Sequence, residues 1–114
     1  MRDSLLVGVD VGTGSARAGV FTPSGTLLGR DEHPIGMRRT GANHAEHDSE
    51  QIWRAVCAAV RGAMQEAGAA PAQVVGIAFD ATCSLVIRDA AGQPVTVSRQ
   101  GGDQWDTIVW LDHR

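Results

Sequence analysis

Hydrophobic positions come in two rhythms along the chain. Leu5–Val11 is short and almost continuously apolar, which predicts a buried strand. Ala16–Phe21 repeats that pattern after a Gly-rich turn. Thr22-Pro23-Ser24-Gly25 places Pro and Gly at turn positions, and Thr26–Glu32 resumes an extended pattern. The opening therefore reads as an antiparallel three-strand meander. Pro34–Asn43 is polar and Gly-containing and reads as a loop. The period then changes. Ile52, Val56, Val60, Ala63, Met64 and Ala67 recur at helical spacing, with Trp53 beside that stripe and Arg54, Arg61 and Gln65 on other sides. Asp48 is the predicted N-cap, with Gln51 as its capping-box partner, and Gly68 and Pro71 end the helix.

Beyond the helix, Val74–Phe79 is again nearly all apolar and predicts a buried strand parallel to the first. Leu85–Arg88 and Pro94–Val97 flank Asp89-Ala90-Ala91-Gly92 and read as a second hairpin. Arg99–Gln104 is a polar, Gly-rich loop, and Thr107–Trp110 is a short apolar segment. The helical stripe reads as core. Trp53 reads as a packing residue, and Trp105 as exposed near the loop.

The junction between the first two strands carries the chemistry. Asp10 stands at the end of the first strand, followed by Val11-Gly12-Thr13-Gly14-Ser15-Ala16-Arg17. Gly12 and Gly14 let backbone N–H groups converge on an anion. Thr13 and Ser15 add hydroxyls, and Arg17 adds a planar cation suited to phosphate oxygens. A carboxylate beside a phosphate cradle makes sense if a hydrated Mg²⁺ lies between them, which assigns Asp10 to the metal. A plain hairpin turn with a solvated Asp is the alternative. The chain has no lysine, all ten basic residues being arginine, so the P-loop pattern is excluded. The dinucleotide fingerprint fails too, because its third position is Arg17 and a strand follows instead of a helix.

The order Asp-x-Gly-Thr-x-Ser-x-Arg on a strand–turn–strand resembles the first phosphate motif of the actin-like ATPase and sugar kinase superfamily. Within it the chain most resembles the FGGY carbohydrate kinases. His44-Ala45-Glu46-His47-Asp48 leading to Ile52-Trp53 is similar to that family's approach to its first helix, with Ser49 in place of the usual Pro. Gly76-Ile77-Ala78-Phe79-Asp80-Ala81-Thr82-Cys83-Ser84 resembles the segment lining the sugar site. Ile108-Val109-Trp110-Leu111-Asp112-His113-Arg114 resembles the Trp-x-Asp-x-Arg segment. The wording is most like that of the ribulokinase-type, pentulose-phosphorylating subgroup.

The resemblance implies an α/β protein of ribonuclease H-like, actin-like ATPase fold, with a mixed sheet. It implies ATP and Mg²⁺ as cofactors and a sugar or polyol as substrate. Asp10, Gly12, Thr13, Gly14, Ser15 and Arg17 would serve the nucleotide, and Asp80, Ala81, Thr82, Cys83, Trp110 and Asp112 would line the substrate. The catalytic base is expected beyond Arg114, with Asp80 and Asp112 as substitutes within the chain. Residues 1–114 would then be the N-terminal part of the first kinase domain, with the second domain absent. Three alternatives stay open. Asp80 can be a turn cap, Trp110 plain core, and Asp112 simply the partner of Arg114. A non-catalytic binding module and a non-kinase actin-like ATPase are the competing functions.

Composition narrows the partners. The 114 residues carry a net charge of −3 and are 43% hydrophobic and 20% charged, ordinary for one globular domain. No basic tract suggests nucleic acid, no apolar run is long enough to span a membrane, and the N-terminus lacks a signal-peptide pattern. Cys57 and Cys83 are isolated, which points to reduced thiols in the cytoplasm. His44 and His47 precede a helix and do not sit on one, so a zinc motif is disfavoured. Self-association of the full-length protein as a homo-oligomer is open at this level.

Overall fold

The computed structural model of the chain describes residues 4–114. Strands β1 (Leu5–Val11), β2 (Ser15–Phe21) and β3 (Leu27–Pro34) form the expected antiparallel meander. Helix α1 (Ser49–Ala67) and a 3₁₀ turn (Pro71–Gln73) lead into β5 (Val74–Ala81), which pairs parallel to β1. The sheet order is β3-β2-β1-β5. A second small antiparallel sheet joins the middle of the chain to its end. It comprises β4 (Glu46–His47), β7 (Thr107–Ile108) and β6 (Leu85–Val86), in the order β4-β7-β6.

One face of the main sheet makes the core. Leu5, Val7 and Val9 of β1 and Ala16, Ala18 and Val20 of β2 point the same way because strand side chains alternate, and all six are buried. Against them lie Ala55, Val56, Ala59 and Ala63 of α1. The buried ridge is thus centred on alanines, one position round from the stripe of larger side chains. Small residues let the helix sit close on the strands. A Cβ added to Gly29 of β3 would collide with the helix backbone at Ala63 and Ala67. Ile52, Val60 and Met64 are only partly buried.

The helix ends as predicted, with one difference. Asp48 accepts from Gln51 N at 3.1 Å, and Gly68 takes a left-handed conformation (φ 63°) that few other residues tolerate. The Gln51 side chain, however, accepts from Gly36 N at 2.9 Å instead of closing the capping box.

Four further expectations need correction. β5 is a strand parallel to β1 but not a buried one. It is the sheet's edge, with Val75, Ile77 and Phe79 each more than half exposed. Trp53 is 58% exposed on α1 on the same side. Apolar sequence shows that a strand can be covered on both faces, not that it is. The second hairpin is reduced to one bridge between Arg88 and Pro94, because Leu85–Val86 pairs with Thr107–Ile108 instead. Trp105 is half-buried under the Arg38 guanidinium, 5.1 Å from its ring centre. Among the described residues no helix is long and apolar enough to cross a membrane.

Candidate phosphate and sugar site

β1 and β5 finish side by side, and the segments following them meet. Ligand sites in open α/β sheets lie beyond such carboxyl ends. Register places Asp80 beside Asp10, Asp10 beside Arg17, and Arg17 beside Glu32. Paired positions project to the same face, so one row of charge crosses all four strands on the side away from α1. Arg17 donates to Asp10 Oδ2 from Nη2 (2.6 Å) and Nε (3.2 Å), and from Nη1 to Ser15 Oγ (3.1 Å). Ser15 Oγ in turn donates to Glu32 Oε2 at 2.7 Å. The Asp10 carboxylate raises the Arg17 pKa, first through the hydrogen bond and then through its charge. The Arg17 guanidinium lies close over Gly12, where an added Cβ would stand 2.9 Å from Nη2 and displace only that flexible end. Beside the row lies a hollow of about 510 Å³, lined by Asp10, Arg17, Gly19, Arg30, Ala78 and Asp80.

The expected roles of Asp10 and Arg17 were separate, yet the structure pairs them. Both are substantially exposed, and an exposed ion pair is weak. An incoming phosphate or cation can therefore divide the pair at small cost.

The second wall comes from Thr82–Ser84 and Trp110. Thr82 N donates to Val11 O at 3.2 Å, tying this segment to the end of β1. Ser84 Oγ accepts from Trp110 N at 3.1 Å and lies 3.3 Å from Thr82 Oγ1. Trp110 Nε1 donates to Thr13 Oγ1 at 2.8 Å, bridging 97 residues of sequence. An indole N–H only donates, so the Thr13 hydroxyl keeps its own proton to offer. The Trp110 ring is 54% exposed, which removes the plain-core reading. Asp80, Ala81 and Cys83 are exposed here as well.

Asp112 is different. Its side chain is fully buried and its oxygens are taken. Oδ2 accepts from Ala45 N and Arg114 Nη2 (both 2.7 Å), and Oδ1 from Arg114 N and Nε (both 2.9 Å). Arg114 also reaches Glu46 Oε2 at 2.9 Å. The pairing with Arg114, and not an open acceptor for substrate, is what this residue shows.

The donor set suits Mg²⁺ held through water. Asp10 Oδ1 has no partner among the described residues, and Asp80 is its neighbour in register. Among the described residues no three His, Cys, Asp or Glu side chains converge into a metal cage. Mg²⁺ commonly binds through one or two carboxylates plus phosphate oxygens and waters, so no such cage is needed.

Residues 5–114 match the N-terminal domain of the FGGY family of carbohydrate kinases. The chain belongs to this family. A D-ribulokinase of Saccharomyces cerevisiae is 46% identical over 111 residues, covering 95% of this chain and 15% of the yeast protein. A human FGGY carbohydrate kinase domain-containing protein is 44% identical over 108 residues, covering 95% and 19%. A glycerol kinase of Citrifermentans bemidjiense is 31% identical over 111 residues, covering 96% and 21%. The fold is also that of a xylulose kinase from Rhodospirillum rubrum, with a TM-score of 0.78 at 22% identity over 96% of this chain and 21% of that one. This FGGY chain thus spans about a fifth, or less, of the relatives it matches. The ribonuclease H-like, actin-like fold expected from the motifs is borne out.

Sequence reasoning missed the support beneath the site. Glu46, His47 and Asp106 are all buried. Asp106 accepts from Ser49 N at 3.0 Å at the start of α1, a second acidic cap. Nothing in the periodicity marks these residues. The available signal was the density of charge around two-residue strands, which must pair somewhere.

Proposed function

We propose that the full-length protein transfers the γ-phosphoryl group of ATP to a hydroxyl of a pentulose, D-ribulose being the first candidate. This chain would supply the phosphate turn and part of the sugar wall. The observation that carries the reading is the row Asp80–Asp10–Arg17 at the carboxyl ends of β1 and β5, capped by a turn whose Thr13 and Gly14 amides have no acceptor among the described residues. The greater identity to a D-ribulokinase than to a glycerol kinase supports the pentulose.

In the reaction a sugar hydroxyl oxygen attacks the γ-phosphorus, the bond to the β-bridging oxygen breaks, and ADP leaves. The hydroxyl proton passes to a base expected beyond Arg114. Catalysis of this kind is mostly positioning and charge stabilisation. Arg17, the Gly14 amide and the Thr13 hydroxyl bind phosphate oxygens, while Asp10 holds Mg²⁺, which neutralises charge on the phosphates when bound. Thr82 offers a hydroxyl to the ketose, and the exposed Trp110 ring packs on its carbon skeleton.

The test is ADP release by the full-length protein with Mg·ATP and D-ribulose, D-xylulose, ribitol or glycerol. D-ribulose should give the highest kcat/KM. Asp10→Asn should lower kcat by about two orders of magnitude, since metal anchoring acts on transition-state charge, with the melting temperature little changed. Preference for glycerol would overturn the pentulose assignment, and a fully active Asp10→Asn would overturn the metal assignment.

A further inference from the structure

Thr13 is held at two points. Its hydroxyl takes the Trp110 indole, and its carbonyl oxygen lies 2.9 Å from His47 Nε2. A carbonyl can only accept, so Nε2 carries the proton. His47 sits on β4, is 1% exposed, and is 34 residues distant in sequence. Burial pushes its pKa below the ordinary value, against the opposing pull of the Thr13 carbonyl, and keeps the ring neutral at pH 7.

The consequence lies in the next half of the same peptide. A trans peptide is planar, with its C=O and N–H pointing opposite ways. Drawing the Thr13 oxygen inward to His47 turns the Gly14 N–H outward. That amide has no acceptor among the described residues, and a Cβ built on Gly14 would meet nothing within 4 Å. The following carbonyl is pinned as well, Gly14 O accepting from Ile35 N at 2.9 Å. The turn is therefore fixed through its oxygens and leaves its amide free.

We propose that His47 is a positioning residue for the phosphoryl donor. By holding the Thr13 carbonyl it aims the Gly14 N–H at a phosphate oxygen of a nucleoside triphosphate. The inference rests on the turn being the nucleotide-phosphate site. Donors fixed before the ligand arrives spend no free energy on reorganising when it binds.

The experiment uses the full-length protein and three variants. His47→Leu fills the space without a donor, His47→Gln keeps a donor, and His47→Asn keeps polarity but draws the donor back. The readouts are the Kd for Mg·ATP without sugar, the KM values for ATP and sugar, and the melting temperature. His47→Leu and His47→Asn should weaken Mg·ATP binding roughly fivefold, the worth of one neutral hydrogen bond, with sugar KM unchanged. His47→Gln should stay close to wild type. If His47→Leu does not fold, His47→Asn carries the comparison. ATP affinity equal to wild type in the variants without the donor would overturn the proposal. So would parallel losses in ATP affinity, sugar affinity and melting temperature in all three variants, as plain packing damage predicts. A wild-type protein that does not bind Mg·ATP would remove the phosphate-site reading itself, and this inference with it.

Discussion

Arg114→Met tests what holds the C-terminal segment, part of the proposed sugar wall, to the rest of the molecule. Arg114 lies between two buried carboxylates, Asp112 and Glu46, both with fully buried side chains, and its own side chain is 24% exposed. It also donates to Val97 O at 2.6 Å. Methionine keeps an unbranched apolar stem and removes the charge. Two carboxylates are then left facing each other without a cation, and Glu46 Oε1 already lacks a partner. Stranding a buried charge costs about 3–5 kcal/mol when the pair is wholly buried. Arg114 is partly wet, so water relaxes some of that, and roughly 2–3 kcal/mol is the working figure. The assay is peptide-level hydrogen exchange on the full-length protein. Its local probes are Ala45 N, bonded to Asp112, and Val109 N and His113 N, which donate to Ala45 O and Asn43 O. Opening cheaper by that amount should speed exchange over residues 43–48 and 107–114 roughly 30- to 150-fold, with β1–β3 unaffected.

The pH dependence of the same experiment has a definite sign. The Arg114 guanidinium holds the Asp112 carboxyl well below the usual carboxylate range, against the opposing effect of burial. A depressed carboxylate pKa contributes stability that is present above the ordinary value near 4 and is lost as pH falls toward the depressed one. Protection in the wild type should thus fall on acidification below that range, and the gap to Arg114→Met should narrow. Exchange within about threefold of wild type at pH 7, against the 30-fold minimum expected, would refute the claim that this network clamps β4 to the C-terminal segment.

Two further outcomes are expected. Arg17→Lys should lower kcat/KM for ATP about tenfold, because one ammonium cannot replace a planar fork that reaches both Asp10 and Ser15. Unchanged kinetics would reduce Arg17 to a surface charge. The 114-residue chain alone should release no ADP in response to D-ribulose in a coupled assay, since positioning catalysis needs both reactants held together. Turnover at the full-length rate would place the base at Asp80.

Local elements were written in the sequence because their causes are local. The apolar runs of β1 and β2, the Asp48 cap and the left-handed Gly68 follow from side-chain period and backbone sterics, which act over a few residues. The turn between β1 and β2, the candidate phosphate site, was legible as a motif for the same reason: its glycines, hydroxyls and flanking charges are contiguous. What three-dimensional packing decided was who meets whom. Val74–Phe79 has the same apolar composition as β1 and lies at an exposed edge, because burial depends on neighbours and not on composition. Asp112 and Asp10 are the same residue type, yet Arg114 and the Ala45 amide occupy the oxygens of Asp112 while one oxygen of Asp10 has no partner among the described residues. His47 and Trp110 converge on Thr13 from 34 and 97 residues away. Contacts across such distances depend on the sum of every strand pairing between them, so the sequence determined the turn and the fold determined which way its amide faces.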